Sequence, residues 1–253
     1  MFIDTHCHLN YSPLYKQVNS VIKRALDAGV EQLICVGTDI PSSGKAIHLA
    51  EQYSNVFAAV GIHPHDTEAA KSGWQKELIE FTKHDKVVAI GEIGLDYYRN
   101  YAPEEIQIEF FSEQIEIAKD LQLPVVIHNR QADKDIKDIL TKCNYYNCVL
   151  HCYSSNADYA KEMLQLGLYI SFTGSVTYGS KKMAKAVEVV PFNRLMLETD
   201  SPFLTPSSKR GETNEPANIP LIAQKIAELK GCTVDNVASR TTKTAFRFFD
   251  LQQ

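Results

Sequence analysis

Long apolar runs are missing from this 253-residue chain: no segment approaches 18 uninterrupted apolar residues, which excludes a membrane-spanning helix. Its start, MFIDTHCHL, carries polar residues in its apolar stretch and has no basic region ahead of a long apolar one, so it reads as leaderless. Paired cysteines are missing too. The six cysteines (7, 35, 143, 148, 152 and 232) include no CxxC motif, and Cys143 and Cys148 stand too loosely spaced for a zinc ribbon. Scattered thiols in a leaderless chain suit a reducing cytoplasm, which is the expected location. Positive charge is scarce, with 26 Lys and Arg against 31 Asp and Glu and a net charge of −5. Such a chain has no overall field to hold DNA or an anionic membrane. Any phosphate-bearing substrate must be met by local charge, from metal ions or a few basic side chains. Internal repeats, low-complexity tracts and Pro/Gly/Ser-rich linkers are absent as well, so one domain over residues 1–253 is expected.

What is present is an alternation. Short apolar, β-branched runs predict strands at Phe2–His6, Gln32–Val36, Val56–Ile62, Val87–Glu92, Val125–His128, Val149–His151, Leu168–Phe172 and Leu195–Thr199. Helical periodicity predicts helices near 15–28, 41–53, 74–84, 104–121, 132–142, 156–166, 180–189, 217–230 and 233–249. In 104–121, Ile106, Phe110, Ile115, Ile117, Ala118 and Leu121 can share one apolar side, and Pro103 and Pro124 mark its ends. Eight strands alternating with helices argue for an α/β fold, a (β/α)8 barrel. A doubly wound open sheet is the alternative, since periodicity does not show closure. The polar loop 202–216 follows the last strand, where a barrel places active-site loops.

The polar residues at the strand ends decide the reading. By strict alternation Asp4, His6 and His8 face one side of the first strand and Thr5 and Cys7 the other, and Val88, Ile90 and Glu92 share a face of the fourth. His128, His151 and Asp200 end three further apolar strands. Each residue alone is as well explained by a satisfied, hydrogen-bonded core group. Six at the ends of five strands are not. Four imidazoles and two carboxylates suit borderline ions such as Zn2+, Mn2+, Co2+ or Ni2+, whereas Mg2+ usually takes oxygen alone. Six ligands with one bidentate carboxylate can hold two ions, which together lower the pKa of a shared water and clamp a phosphoester.

IDTHCHL (3–9), AAVGIHPH (58–65), AIGEIGLDYY (89–98), LPVVIHNR (123–130), HCYS (151–154), ETDSPFLTP (198–206) and RG-x-x-NEPANIP (210–220) occur in order along almost the whole chain. With these motifs it resembles the TatD family of metal-dependent hydrolases, within the amidohydrolase-like barrels. The resemblance implies that His6 and His8 bind a first ion, Glu92 bridges two ions, His128 and His151 bind the second, and Asp200 returns to the first and acts as general base. It implies that His63 reaches a substrate phosphate rather than a metal. Arg130 and Arg210 are further candidates for a phosphate, by a guanidinium fork. Glu198 is a candidate to support the ligands, and Asn214 and Glu215 to brace the final loop. Where the family often has H-x-R-D-A this chain has Gln131, and Glu212 and Thr213 replace a common basic pair, which weakens local attraction for a polyanion.

The resulting expectation is a divalent-metal-dependent hydrolase, a phosphodiesterase trimming DNA (rather than RNA) from a 3′ end, monomeric and without a membrane partner. Tyr97, Tyr98, Tyr153 and Phe203 are candidates to stack bases, and Lys181, Lys182 and Lys185 read as a solvated helix face. Two alternatives stand beside it. One keeps the metal site but hydrolyses an ester or amide, such as D-aminoacyl-tRNA or a small cyclic amide. The other is a non-catalytic metal-binding barrel.

Overall fold

The computed structural model describes residues 1–251. Its strands are β1 (Phe2–Cys7), β2 (Val30–Val36), β3 (Val56–Val60), β4 (Val87–Asp96), β5 (Val125–Arg130), β6 (Cys148–Leu150), β7 (Tyr169–Phe172) and β8 (Leu195–Leu197). The helices are α1 (Val18–Asp27), α2 (Ile40–Gln52), α3 (Trp74–Phe81), α4 (Glu104–Leu121), α5 (Asp133–Cys143), α6 (Ala157–Gln165), α7 (Lys181–Val189), α8 (Ile219–Lys230) and α9 (Val234–Phe249). All neighbouring strands are parallel, and their order in the sheet is their order in the chain. That order is a barrel; a doubly wound sheet would reverse direction part-way. β1 and β8 meet at a seam where Asp200 N donates to His6 O at 2.9 Å and His8 N to Ser201 O at 2.7 Å. Among the described residues no helix is long and apolar enough to cross a membrane, and the six cysteines are free.

The strands bury both faces, so their side chains sort into two cores. Ile3, Ile34, Val36, Ala59, Ala89, Val126, Val149, Tyr169 and Met196 fill the barrel, joined by Ala245, Phe248, Phe249 and Leu251 from α9 and the residues after it. Every strand contributes, and the end of α9 closes one mouth. The opposite strand faces, with Leu33, Cys35, Ala58, Val60, Ile127 and Leu150 among them, pack on the surrounding helices.

Strict alternation fails in two strands, and both failures matter to the site. Ile90 packs in the outer core and does not share a face with Glu92. The β4–β5 register shifts between Ile90 and Ile93, and this irregularity turns Glu92 inward. In β1 the register shifts between Asp4 and Cys7. Asp4 joins none of the metal-ligand groupings; its carboxylate accepts from Thr199 N (2.9 Å) and Thr199 Oγ1 (2.5 Å) across the seam. Thr5, expected to face away from the interior, reaches Leu197 O at 3.0 Å and Ser171 Oγ at 3.4 Å. Close approach of β4 to β5 requires Gly94, at φ +142°, where a Cβ would lie 2.0 Å from His128 O.

The helix over 104–121 forms as expected, but its buried face is Gln107, Phe111, Gln114, Ile115 and Ala118. Ile106, Phe110 and Ile117 are only half-buried and Leu121 is exposed. The two glutamines explain the rotation, because their amides satisfy loop backbone at the barrel mouth. Gln107 accepts from Asp96 N at 2.9 Å and donates to Ala102 O at 2.8 Å. Gln114 accepts from Ile62 N at 2.8 Å and donates to Ile62 O at 3.1 Å.

Candidate metal centre

All six expected ligands meet at the C-terminal mouth. His6 and His8 come from β1 and its exit, Glu92 from β4 and His128 from β5. β6 ends at Leu150 and β8 at Leu197, shorter than the sequence suggested, so His151 and Asp200 stand just beyond them. Asp200 holds φ +54°, a left-handed conformation that Asp tolerates better than most residues.

Glu92 divides the cluster. Its Oε2 lies 3.4 Å from His6 Nε2 and 3.8 Å from His8 Nε2. Its Oε1 lies 2.8 Å from both His128 Nδ1 and His151 Nε2. Asp200 Oδ1 completes the Oε2 side, 3.4 Å from His8 Nε2 and 3.7 Å from His6 Nε2.

The outward nitrogens of three imidazoles face oxygen atoms. His8 Nδ1 faces Val36 O at 3.0 Å, and a carbonyl only accepts, so that nitrogen carries the proton. His151 Nδ1 faces Glu198 Oε1 at 3.2 Å, and His128 Nε2 faces Asp96 Oδ2 at 3.1 Å. His8 thereby directs an Nε2 lone pair inward, His128 and His151 each stand between two carboxylates, and groupings of this kind fit divalent ions. His6, Glu92 and His8 form one such grouping, and His6, His151 and Asp200 another.

His63 behaves oppositely. It also groups with Glu92 and His128, but its Nδ1 accepts from His65 N at 3.1 Å. The neutral ring therefore carries its proton on Nε2, 3.4 Å from Glu92 Oε1. That nitrogen is a donor, and a poor metal ligand.

The electrostatics keep the carboxyls of the cluster ionised. Burial opposes ionisation of Glu92, yet His151, His63 and His128 outweigh it and hold the carboxyl well below its usual range. Burial likewise opposes Asp200, and His8, His6 and His151 overcome it. Burial disfavours the imidazolium of His151, but Glu92 and Glu198 raise its pKa well above normal. His8 and His128 are raised against burial, by Asp200 and by Asp96 with Glu92 respectively. Burial and His151 lower His6, and burial pushes His63 down to about 4.

Above the cluster opens a cavity of about 1010 Å3. Arg130 lines it with its guanidinium 4.2 Å from the Tyr98 ring centre. Arg210 is exposed in the 202–216 loop and lines no part of it. Of the aromatic candidates, Tyr98 (55 % exposed) and Phe203 (51 %) stand at the mouth, whereas Tyr153 is buried and Tyr97 packs on the core with its hydroxyl donating to Asp135. Tyr101, 61 % exposed and lining the same cavity, was not singled out from the sequence. Lys182, read as part of a solvated face, also lines it. Asp96 was likewise missed, although Glu92, Gly94 and Asp96 alternate along β4. Asn214 does brace the final loop: buried, it donates to Thr199 O at 2.9 Å and to Phe203 O at 2.5 Å.

Imidazoles and carboxylates gathered at the C-terminal ends of a (β/α)8 barrel, with Glu92 set between two pairs of histidines, mark a barrel-type metal-dependent hydrolase. The chain belongs to the TatD family: the family model described as TatD related DNase matches residues 3–250. It is 41% identical to the uncharacterized metal-dependent hydrolase YabD of Bacillus subtilis, over 98% of this chain and 99% of that one. It is 35% identical to the 3′-5′ ssDNA/RNA exonuclease TatD of Shigella flexneri, over 90% and 91%. The crystal structure of YJJV, a TatD homolog from Escherichia coli K12, superposes with a TM-score of 0.95 at 29% identity, covering 99% of this chain and 98% of that one.

Proposed function

We propose that this hydrolase is a phosphodiesterase that removes nucleotides from the 3′ end of single-stranded DNA with the help of two divalent ions. The observation that carries the reading is the division of Glu92, one oxygen toward His6 and His8 and the other toward His128 and His151. Ions bound at these groups would supply an acidified water and neutralise charge on the phosphate. His6, His8 and Asp200 would hold one ion, His128 and His151 the other, and Glu92 both. Asp200 accepts the proton of the attacking water, since its carboxyl is held ionised at the cluster's edge. His63 donates its Nε2 proton to a phosphate oxygen, the role its tautomer suits. Arg130 offers charge from the rim, and Tyr98, Tyr101 and Phe203 offer faces for unpaired bases. The name of the Shigella relative supports nucleic acid as the substrate class.

The test is a panel. Protein loaded with Mn2+, Mg2+ or Zn2+ is given single-stranded DNA, a phosphodiester dye and D-aminoacyl-tRNA in parallel. Stepwise release of mononucleotides from the 3′ end is the expected result. Deacylation of the tRNA with intact DNA would replace this reading by an esterase, and metal uptake without turnover would leave a binding barrel.

A further inference from the structure

Asp96 has no expected role, yet it is fully buried beside the cluster and fixed from four directions. Its Oδ1 accepts from the backbone N–H groups of Tyr98 (3.1 Å) and Arg99 (2.8 Å). Its Oδ2 is shared by two imidazoles, His65 Nε2 at 2.8 Å and His128 Nε2 at 3.1 Å. Its own N–H is taken by Gln107 Oε1. Among the described residues no Lys or Arg pairs with it.

His128 stands between two carboxylates. Glu92 Oε1 lies 2.8 Å from Nδ1 and draws the ring proton there; Asp96 Oδ2 draws it to Nε2. Only the second arrangement leaves Nδ1 bare on the side where an ion would bind. We propose that Asp96 is a positioning residue that locks His128 in the Nε2–H tautomer and so creates the nitrogen ligand beside Glu92. The proposal rests on reading Glu92, His128 and His151 as one of two ion sites.

Asp96→Asn is the discriminating variant. The amide oxygen keeps the bonds to Tyr98 N and Arg99 N, so the β4 exit stays capped. The amide nitrogen replaces Oδ2 and is a donor; facing His128 Nε2, it needs that nitrogen bare and moves the ring proton to Nδ1. The backbone is preserved and the tautomer reversed.

Mn2+ is titrated calorimetrically into metal-free wild type, Asp96→Asn and His65→Ala. Wild type is expected to take two equivalents. In Asp96→Asn one equivalent weakens by about 10–100-fold, while the other changes less than threefold and the melting temperature of the metal-free protein is kept. His65→Ala, which removes only the other imidazole on Oδ2, is expected to shift both affinities less than threefold. Long-range 15N–1H correlation spectra of the metal-free proteins at pH 9, assigned with His128→Gln, read the tautomer directly: Nε2–H in wild type and Nδ1–H in Asp96→Asn. Two equal equivalents in Asp96→Asn, or an effect of His65→Ala as large, would overturn the proposal alone. Wild type taking only one equivalent would overturn the two-ion reading and the proposal with it. If Asp96→Asn does not fold, the wild-type spectrum decides, because Nδ1–H there refutes the lock.

Discussion

At its floor the barrel is closed by the apolar side chains of Phe248, Phe249 and Leu251 against Ile3, Ala59, Ala89 and Met196. At its mouth the same strands end in His6, Glu92, His128 and, just past their ends, His151 and Asp200. The floor is apolar, although the register also shifts there, at Ile3 and at Ala59. The mouth carries the register shifts of β1 and β4 and the left-handed Asp200 and Cys152. Burying like groups together in this way opposes folding. The barrel tolerates it because the strands are already fixed from below. Stability and chemistry are therefore separable along the strand axis, and substitutions can test that separation.

The largest effect is expected at the mouth. Asp200→Asn should lower kcat by about 10²–10⁴-fold while metal analysis after desalting still finds substantial metal, because five ligands remain. Unchanged turnover would remove Asp200 from the mechanism. At the floor the reverse is expected: Phe249→Ala should destabilise the fold by about 3–5 kcal/mol in chemical denaturation, with kcat per folded molecule within twofold. A collapse of kcat in that variant would show the two ends to be coupled.

Acidity sharpens the contrast further. His8, His128 and His151 have raised pKa values, so in metal-free protein they hold protons above the ordinary histidine value of 6.5. A metal must displace those protons. Its affinity is therefore expected to fall on acidification, starting above pH 6.5, by about tenfold per pH unit for each proton displaced. Calorimetry in buffers of different ionisation enthalpy counts the protons, and a pH-independent affinity would contradict the assignment. At the rim, Tyr98→Ala should raise KM for an oligonucleotide about tenfold, the loss of one stacked base, with little change in kcat. Arg210→Ala, outside the cavity, should change kcat/KM less than twofold.

Much of this was legible in the sequence because barrel chemistry sits at strand ends, and an apolar run terminating in His or Asp marks an end. His6, His8, Glu92, His128, His151 and Asp200 were found that way, and the structure brings all six together. Alternation placed Glu92 inward with the wrong companion, since Ile90 packs outward across a register shift that no periodicity encodes. Alternation put Asp4 on one face with His6 and His8, but its partner, Thr199, lies 195 residues away and sequence spacing does not show it. Gln107 and Gln114 turn the buried face of the 104–121 helix away from the expected one, because each satisfies backbone that only the fold brings near. Arg210 sat in a motif, but the course of its loop, not its neighbours in sequence, carries it away from the cavity.

The seam between β1 and β8 joins the first-made and last-made strands of the barrel. Glu92, His128 and His151 are all present once residue 151 has left the ribosome. His6 and His8 are made first of all, yet they gain Asp200 only when β8 arrives and Asp4 is tied to Thr199. Glu92, His128 and His151 thus come together from strands in the middle of the chain. His6 and His8 meet Asp200 only where the two ends of the barrel join, so the centre is complete only in a closed barrel.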